Sequence, residues 1–127
     1  MNLGLFLAVG IGGFVGAILR FTLSAWVQKL TTSDFPVGTL SVNILGSLLM
    51  GFLFLYFTQM NLSTYQKLIF TTGLLGALTT FSTFSMDTAH LLEQALYLKA
   101  MMNVLLNVTL SIGATFLGML FFNFTYK

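Results

Sequence analysis

The 127-residue sequence has no cysteine, a single proline and very little charge: five basic side chains, three acidic ones and one histidine. Without cysteine there is no disulfide framework, no thiolate metal site and no thiol nucleophile. Charged residues make up 6% of the chain, where an ordinary soluble domain carries roughly a quarter. That is too little polar surface to clothe a soluble enzyme. The basic residues Arg20, Lys29, Lys67, Lys99 and Lys127 are scattered, so a net charge of +2 leaves no nucleic-acid footprint. A lone His90 cannot build a typical metal site, and neither a Gly-x-Ser-x-Gly elbow nor a phosphate-binding glycine loop occurs. The chain does not read as an enzyme.

What remains is apolar. Hydrophobic residues reach 57% and mean hydropathy is +0.94. The few charges leave four uncharged runs, 1–19, 35–66, 68–86 and 100–126, each close to or above the roughly 20 residues a helix needs to cross a bilayer. The expectation is an all-α membrane protein forming one integral membrane domain over residues 1–127. Its four transmembrane helices are placed at about 3–29, 36–57, 64–94 and 97–124. The N-terminal run lacks a basic n-region and a small-residue cleavage site, and is expected to be the first span rather than a signal peptide. Thr31-Thr32-Ser33-Asp34 ahead of Pro36 supplies cap candidates for span 2, and Ser63-Thr64-Tyr65-Gln66 has capping-box spacing for span 3. Short connections make neighbouring spans antiparallel hairpins. Trp26, Tyr56, Tyr65, Tyr97 and Tyr126 all fall at expected span ends, where rings with one wet edge settle.

Four spans put Lys67 and Lys127 on one side of the membrane and Lys29 and Lys99 on the other, with Arg20 nearest the second side. That balance gives no positive-inside bias. It fits either a biased protein whose few charges happen to balance or a chain that inserts both ways and pairs antiparallel with itself.

Polar residues inside spans are the candidates for function, because each costs energy unless it faces protein or water. Asn103, Asn107, Ser111 and Thr115 recur every four residues along span 4, and Thr39, Asn43 and Ser47 do so in span 2. Such stripes serve either as interhelical hydrogen-bonding glue or as the lining of an anion path, since neutral amides and hydroxyls donate without trapping. Gly12 and Gly16 offer a small-residue packing face in span 1. Arg20 beyond them either snorkels to the interface or stands in an aqueous vestibule. In span 3, Gly73 and Gly76 are followed by five hydroxyl residues among positions 79–85, poor material for a continuous helix, so span 3 is expected to break near its middle. Broken backbone is tolerated at that depth only where it is buried or lines a cavity. Phe81 and Phe84 sit three apart in the same stretch; their rings either pack in the core or against lipid, or turn weakly positive edges toward an anion.

These residues resemble the small four-helix fluoride channel family, Fluc or CrcB. The matching segments are Gly12-Gly13-Phe14-Val15-Gly16-Ala17-Ile18-Leu19-Arg20 in span 1 and Gly38-Thr39-Leu40-Ser41-Val42-Asn43-Ile44-Leu45-Gly46 in span 2. Span 3 matches over residues 71–84, including Thr79-Thr80-Phe81-Ser82-Thr83-Phe84, and span 4 through Asn103, Asn107 and Ser111. The resemblance implies an antiparallel, dual-topology homodimer in the cell membrane, present in both orientations, with two pores that export cytosolic fluoride passively. It further implies a fluoride pathway of Asn43, Phe81, Phe84, Ser82, Thr83, Asn107 and Ser111. Gly76 and Thr79 carbonyls would hold one structural sodium ion, and Arg20 would take a vestibule or structural role. Family members with Tyr and Ser at the positions of Asn103 and Asn107 are common, and the Asn-Asn-Ser version resembles a recognised subset. The alternatives are a small dual-topology cation or drug exchanger, for which spans 1, 2 and 4 lack the coupling carboxylate, and a non-transporting assembly subunit.

Overall fold

A computed structural model describes residues 2–126. Lys127, part of the charge balance above, lies outside them. Helix α1 (Leu3–Lys29) is capped by Asn2, whose side-chain oxygen accepts from Leu5 N at 2.9 Å. Helix α2 spans Val37–Gln59. Pro36 stands at its N-cap and makes no side-chain cap bond. Gln28 of α1 takes over the capping role. Its Oε1 accepts from Gly38 N at 3.0 Å and its Nε2 donates to Phe35 O at 3.1 Å. The 30–36 turn is therefore held by the helix it leaves.

Helix α3 (residues 64–78) opens with the capping box at Ser63 and Gln66, both halves formed. It then widens into a π-helical segment, Ile69–Leu75, before a last α turn, Gly76–Leu78. Thr79 (φ −86°, ψ 156°) and Thr80 (φ −150°, ψ 117°) are extended. Helix α4 (Phe81–Glu93) starts afresh, with Thr80 as its N-cap. A tight turn carrying Ala95 at φ 60° leads into helix α5, Tyr97–Tyr126. Among the described residues, the stretches 3–29, 37–59, 64–93 and 97–126 are each long and apolar enough to cross a membrane. The ends of α2 and α5 run two residues past the expected 57 and 124. There Tyr56 packs edge-on to Phe122 and Tyr126.

Two backbone-to-backbone contacts organise the bundle. Gly12 and Gly16 lay α1 directly on the π segment, where an added Cβ would strike the carbonyls of Ile69 and Leu74. Small residues of this kind let helices approach closely enough for dispersion to hold them where lipid supplies no hydrophobic driving force. In the second contact, Gly51 of α2 meets Thr115 of α5, while Asn43 meets Asn107. Helices α2 and α5 thus run parallel, with Asn43 facing Asn107 and Gly51 facing Thr115, in each case 64 positions on. The apolar core between the elements is small, built on Val42, Leu75 and Leu78. Large side chains such as Phe14, Phe21, Phe116 and Phe124 point outward, while Asn103, Asn107, Thr39 and Thr80 are buried. That is the reverse of a water-soluble protein, and is what an apolar solvent selects. At one end Lys99 Nζ reaches Asp34 Oδ2 at 3.8 Å, joining the turn after α1 to the start of α5.

Candidate functional site

The site begins where α3 stops. In a continuous helix the N–H of Thr80 would bond to the carbonyl of Gly76, and that of Thr83 to the carbonyl of Thr79. Both donors go elsewhere: Thr80 N to Asn43 Oδ1 at 2.7 Å and Thr83 N to Thr80 Oγ1 at 3.1 Å. The carbonyls of Gly76 and Thr79 are left without their helical donors. Asn43 also donates through Nδ2 to Thr80 O at 3.2 Å, so one side-chain amide serves both backbone groups of the extended residue. Gly46, one turn further along α2, leaves room for the Thr79 methyl, against which a Cβ would collide.

From Asn43 a chain of amides runs across the bundle. Asn43 Nδ2 donates to Asn107 Oδ1 at 3.0 Å. Asn107 Nδ2 donates to Asn103 Oδ1 at 3.0 Å and to Asn103 O at 2.9 Å. Asn103 Nδ2 donates to Thr88 Oγ1 at 3.0 Å, and that hydroxyl donates to Phe84 O at 2.9 Å. Each amide's orientation follows from partners that cannot exchange roles: the Thr80 N–H only donates, and the Asn103 carbonyl only accepts. The relay is polarised and closes on itself, from the residue before α4 back to a carbonyl of α4. Both Nδ2 hydrogens of Asn43 and of Asn107 are engaged within it.

Against this relay lies an open cleft of about 350 Å³ lined by Asn43, Ser47, Thr79, Thr80, Phe81, Phe84, Asn107 and Ser111, with Val108 and Ile112. Phe81 and Phe84 meet edge to face, centroids 5.3 Å apart and planes at 66°. Phe84 is 8% exposed and Phe81 78% exposed, so one ring is anchored while the other stands at the cleft mouth. Five expected residues therefore come together: Asn43, Phe81, Phe84, Asn107 and Ser111. Gly76 and Thr79 flank them. Ser82 and Thr83 are not in the cleft. Thr83 lines a separate recess of about 200 Å³ with Arg20, Phe21, Ser24, Thr39, Val42 and Thr80. Ser82 lies exposed beside Thr80 Oγ1 at 3.3 Å. The lining of span 4 is also shorter than its stripe. Asn103 is 1% exposed inside the relay, and Thr115 donates to Ser111 O at 3.1 Å. Thr39 donates to Asp87 Oδ2 at 2.9 Å.

Sequence reasoning passed over Thr80, the one residue bordering both hollows, and placed Ser47 only in the span 2 stripe, read as glue or path lining, without naming it among the site residues. Ser47 carries a signal, its place four residues after Asn43. Thr80 carries none beyond membership of the hydroxyl run.

Residues 7–119 match the family model described as CrcB-like protein, Camphor Resistance (CrcB). The chain belongs to the CrcB family. This CrcB chain is 52% identical over 126 residues to the fluoride-specific ion channel FluC of a Nitratiruptor species, covering 99% of itself and 98% of the relative. It is 56% identical over 122 residues to the protein of that name in a Sulfurovum species, covering 96% of each. In Campylobacter lari the identity is 44% over 120 residues. The near-complete coverage in both directions means that relatives and chain share all four spans. With four apolar helices and channel relatives, the CrcB chain is a multi-pass membrane protein.

Proposed function

We propose that this chain is a fluoride-selective ion channel that lets cytosolic fluoride leave the cell passively. One observation carries the reading: a cleft within the spans lined by neutral amides and hydroxyls, two phenylalanine rings and two aliphatic side chains, with no carboxylate or lysine. Transferring a bare small anion into hydrocarbon costs tens of kcal/mol in the Born limit, about an order of magnitude beyond any single hydrogen bond. A path must replace the hydration shell piecewise, with contacts each weak enough to release the ion. Phe81 and Phe84 offer ring edges, Ser111 a hydroxyl, and Asn43 and Asn107 amide donors. Because the Asn43 donors are already engaged, fluoride takes one only in exchange for Thr80 O or Asn107 Oδ1. Arg20 and Thr83, in the recess beyond Thr80, form the positively charged approach, with Ser82 exposed beside Thr80.

The functional unit is an antiparallel homodimer with two pores, inserted in both orientations in the cell membrane. Support comes from Phe81, an exposed ring within a membrane span, from the one-sided cleft beside it and from the balanced lysines. Thr79 and Thr80 are read as a functional break in span 3. The carbonyls of Gly76 and Thr79, deprived of helical donors, have the chemistry of a hard-cation site and fit sodium. Two oxygens from each of two chains would hold it. When bound, sodium supplies a fixed positive charge that ties the two breaks together.

The test is efflux from liposomes carrying the purified chain, followed with fluoride and chloride electrodes. Fluoride should leave rapidly and chloride should stay. Equal chloride flux, or no fluoride flux, would overturn the reading.

A further inference from the structure

Hydroxyl groups in membrane helices ordinarily donate to their own helix, one turn back. In α2 and α5 this holds for Ser41 (to Val37 O, 2.7 Å), Thr58 (to Leu55 O, 2.9 Å), Thr109 (to Leu105 O, 2.6 Å), Thr115 (to Ser111 O, 3.1 Å) and Thr125 (to Phe121 O, 2.9 Å). Thr39 donates instead to Asp87. Two hydroxyls of these helices make no hydrogen bond among the described residues, Ser47 and Ser111. Ser111 Oγ is moreover the one fully buried side-chain polar atom among them without a partner.

The two are not scattered. Asn43 faces Asn107, and Gly51 faces Thr115, so the parallel register places Ser47 opposite Ser111, midway between those contacts. Both line the cleft. One helical turn away, the amide donors of Asn43 and Asn107 are engaged in the relay. An uncommitted O–H in a low-dielectric wall is costly. Each serine has the lone pairs to accept from the other, but Ser111 Oγ makes no hydrogen bond to Ser47 or to any other described residue, so the donors stay free.

We propose that Ser47 and Ser111 form a two-hydroxyl anion subsite in the cleft, one turn beyond the Asn43–Asn107 pair. It takes a small, unhydrated or partly hydrated anion, and its uncommitted donors let the ion be held without first breaking the relay. This deepens the channel reading and rests on it: Ser47 becomes a fluoride-binding residue, and the ion steps from the paired hydroxyls to the Phe84 edge and the Asn43 amide.

The experiment is fluoride efflux from liposomes at sub-saturating fluoride, comparing the unmodified chain with Ser47→Ala, Ser111→Ala, the double variant, Ser47→Thr and Ser41→Ala. Loss of one hydrogen bond to an anion lowers flux about tenfold in each single alanine variant. The double variant falls little further, since both hydroxyls serve one ion. Ser47→Thr, which keeps the hydroxyl but adds a methyl, retains more flux than Ser47→Ala, an order that a purely packing role reverses. Ser41→Ala, whose hydroxyl bonds its own helix, conducts normally. Normal flux in Ser47→Ala, multiplicative losses in the double variant, or less flux in Ser47→Thr than in Ser47→Ala each overturn the paired subsite and leave the channel standing. Failure of the unmodified chain to pass fluoride removes the channel reading itself.

Discussion

Asn43 stands where a carbonyl and an N–H of the main chain need replacing, and its amide has one of each. Removing it would orphan Thr80 N, Thr80 O and Asn107 Oδ1 together, so its effect on flux is inseparable from its effect on folding. Asn103 permits a cleaner measurement, since it touches the cleft only through Asn107. Asn103→Leu keeps the forked side-chain skeleton but leaves an Asn107 hydrogen and the Thr88 hydroxyl short of a partner. Thermal unfolding in detergent should register a loss of about 1–3 kcal/mol. An unchanged melting temperature would show that the relay does not hold the fold together. The two rings behave differently from the amides. Phe81→Ile and Phe84→Ile keep apolar bulk and remove the ring edges, and each should cut fluoride flux about tenfold, the equivalent of one aromatic contact. Both variants should still elute as the unmodified chain does. Normal flux in both would take the rings out of the path.

At the level of elements, α1 and the π segment fit because glycine gives way to carbonyls. Gly12→Ala forces its methyl into Ile69 O and Leu74 N, backbone atoms that cannot rotate aside. A loss of about 1–3 kcal/mol follows from overpacking. Gly10, two residues earlier on the same helix, has open space around its missing Cβ. Gly10→Ala should instead stabilise, by about 0.5–1 kcal/mol, through reduced backbone entropy in the unfolded chain. Comparing the two melting temperatures separates close approach from helix propensity, and equal shifts would exclude the packing account. The widened helix explains why this contact matters. Seven residues with π geometry bulge from the helix axis, and the flat face of Gly12 and Gly16 receives the bulge.

For the whole molecule, span number and placement were legible from hydropathy, because eight charges on so apolar a chain leave few places for a bilayer to end. The capping box at Ser63 was legible because it is local, four residues bonding to one another. The π segment was not, since no run of residue types distinguishes i+5 from i+4 bonding. Nor was the direction of the Asn43–Asn107–Asn103 relay: it depends on Thr80, 37 positions from Asn43, and on helix register. The same register, set by glycines at the far end of α2 and α5, placed Ser47 opposite Ser111. Topology is open to a direct measurement. In a cysteine-free chain, Asn2→Cys offers a single thiol, and impermeant maleimide added to either side of the membrane should label a population. Labelling from one side alone would rule out the self-paired antiparallel dimer. Thr80 adds a consequence of its own. It belongs to the wall of the cleft and to the wall of the Arg20 recess, so the partition between the two hollows is a single extended residue. A helix in that place would interpose about 10–12 Å of protein. If the two hollows are successive stages of the proposed fluoride path, the layer between them narrows to this residue, and much of the transmembrane voltage should fall across this one threonine.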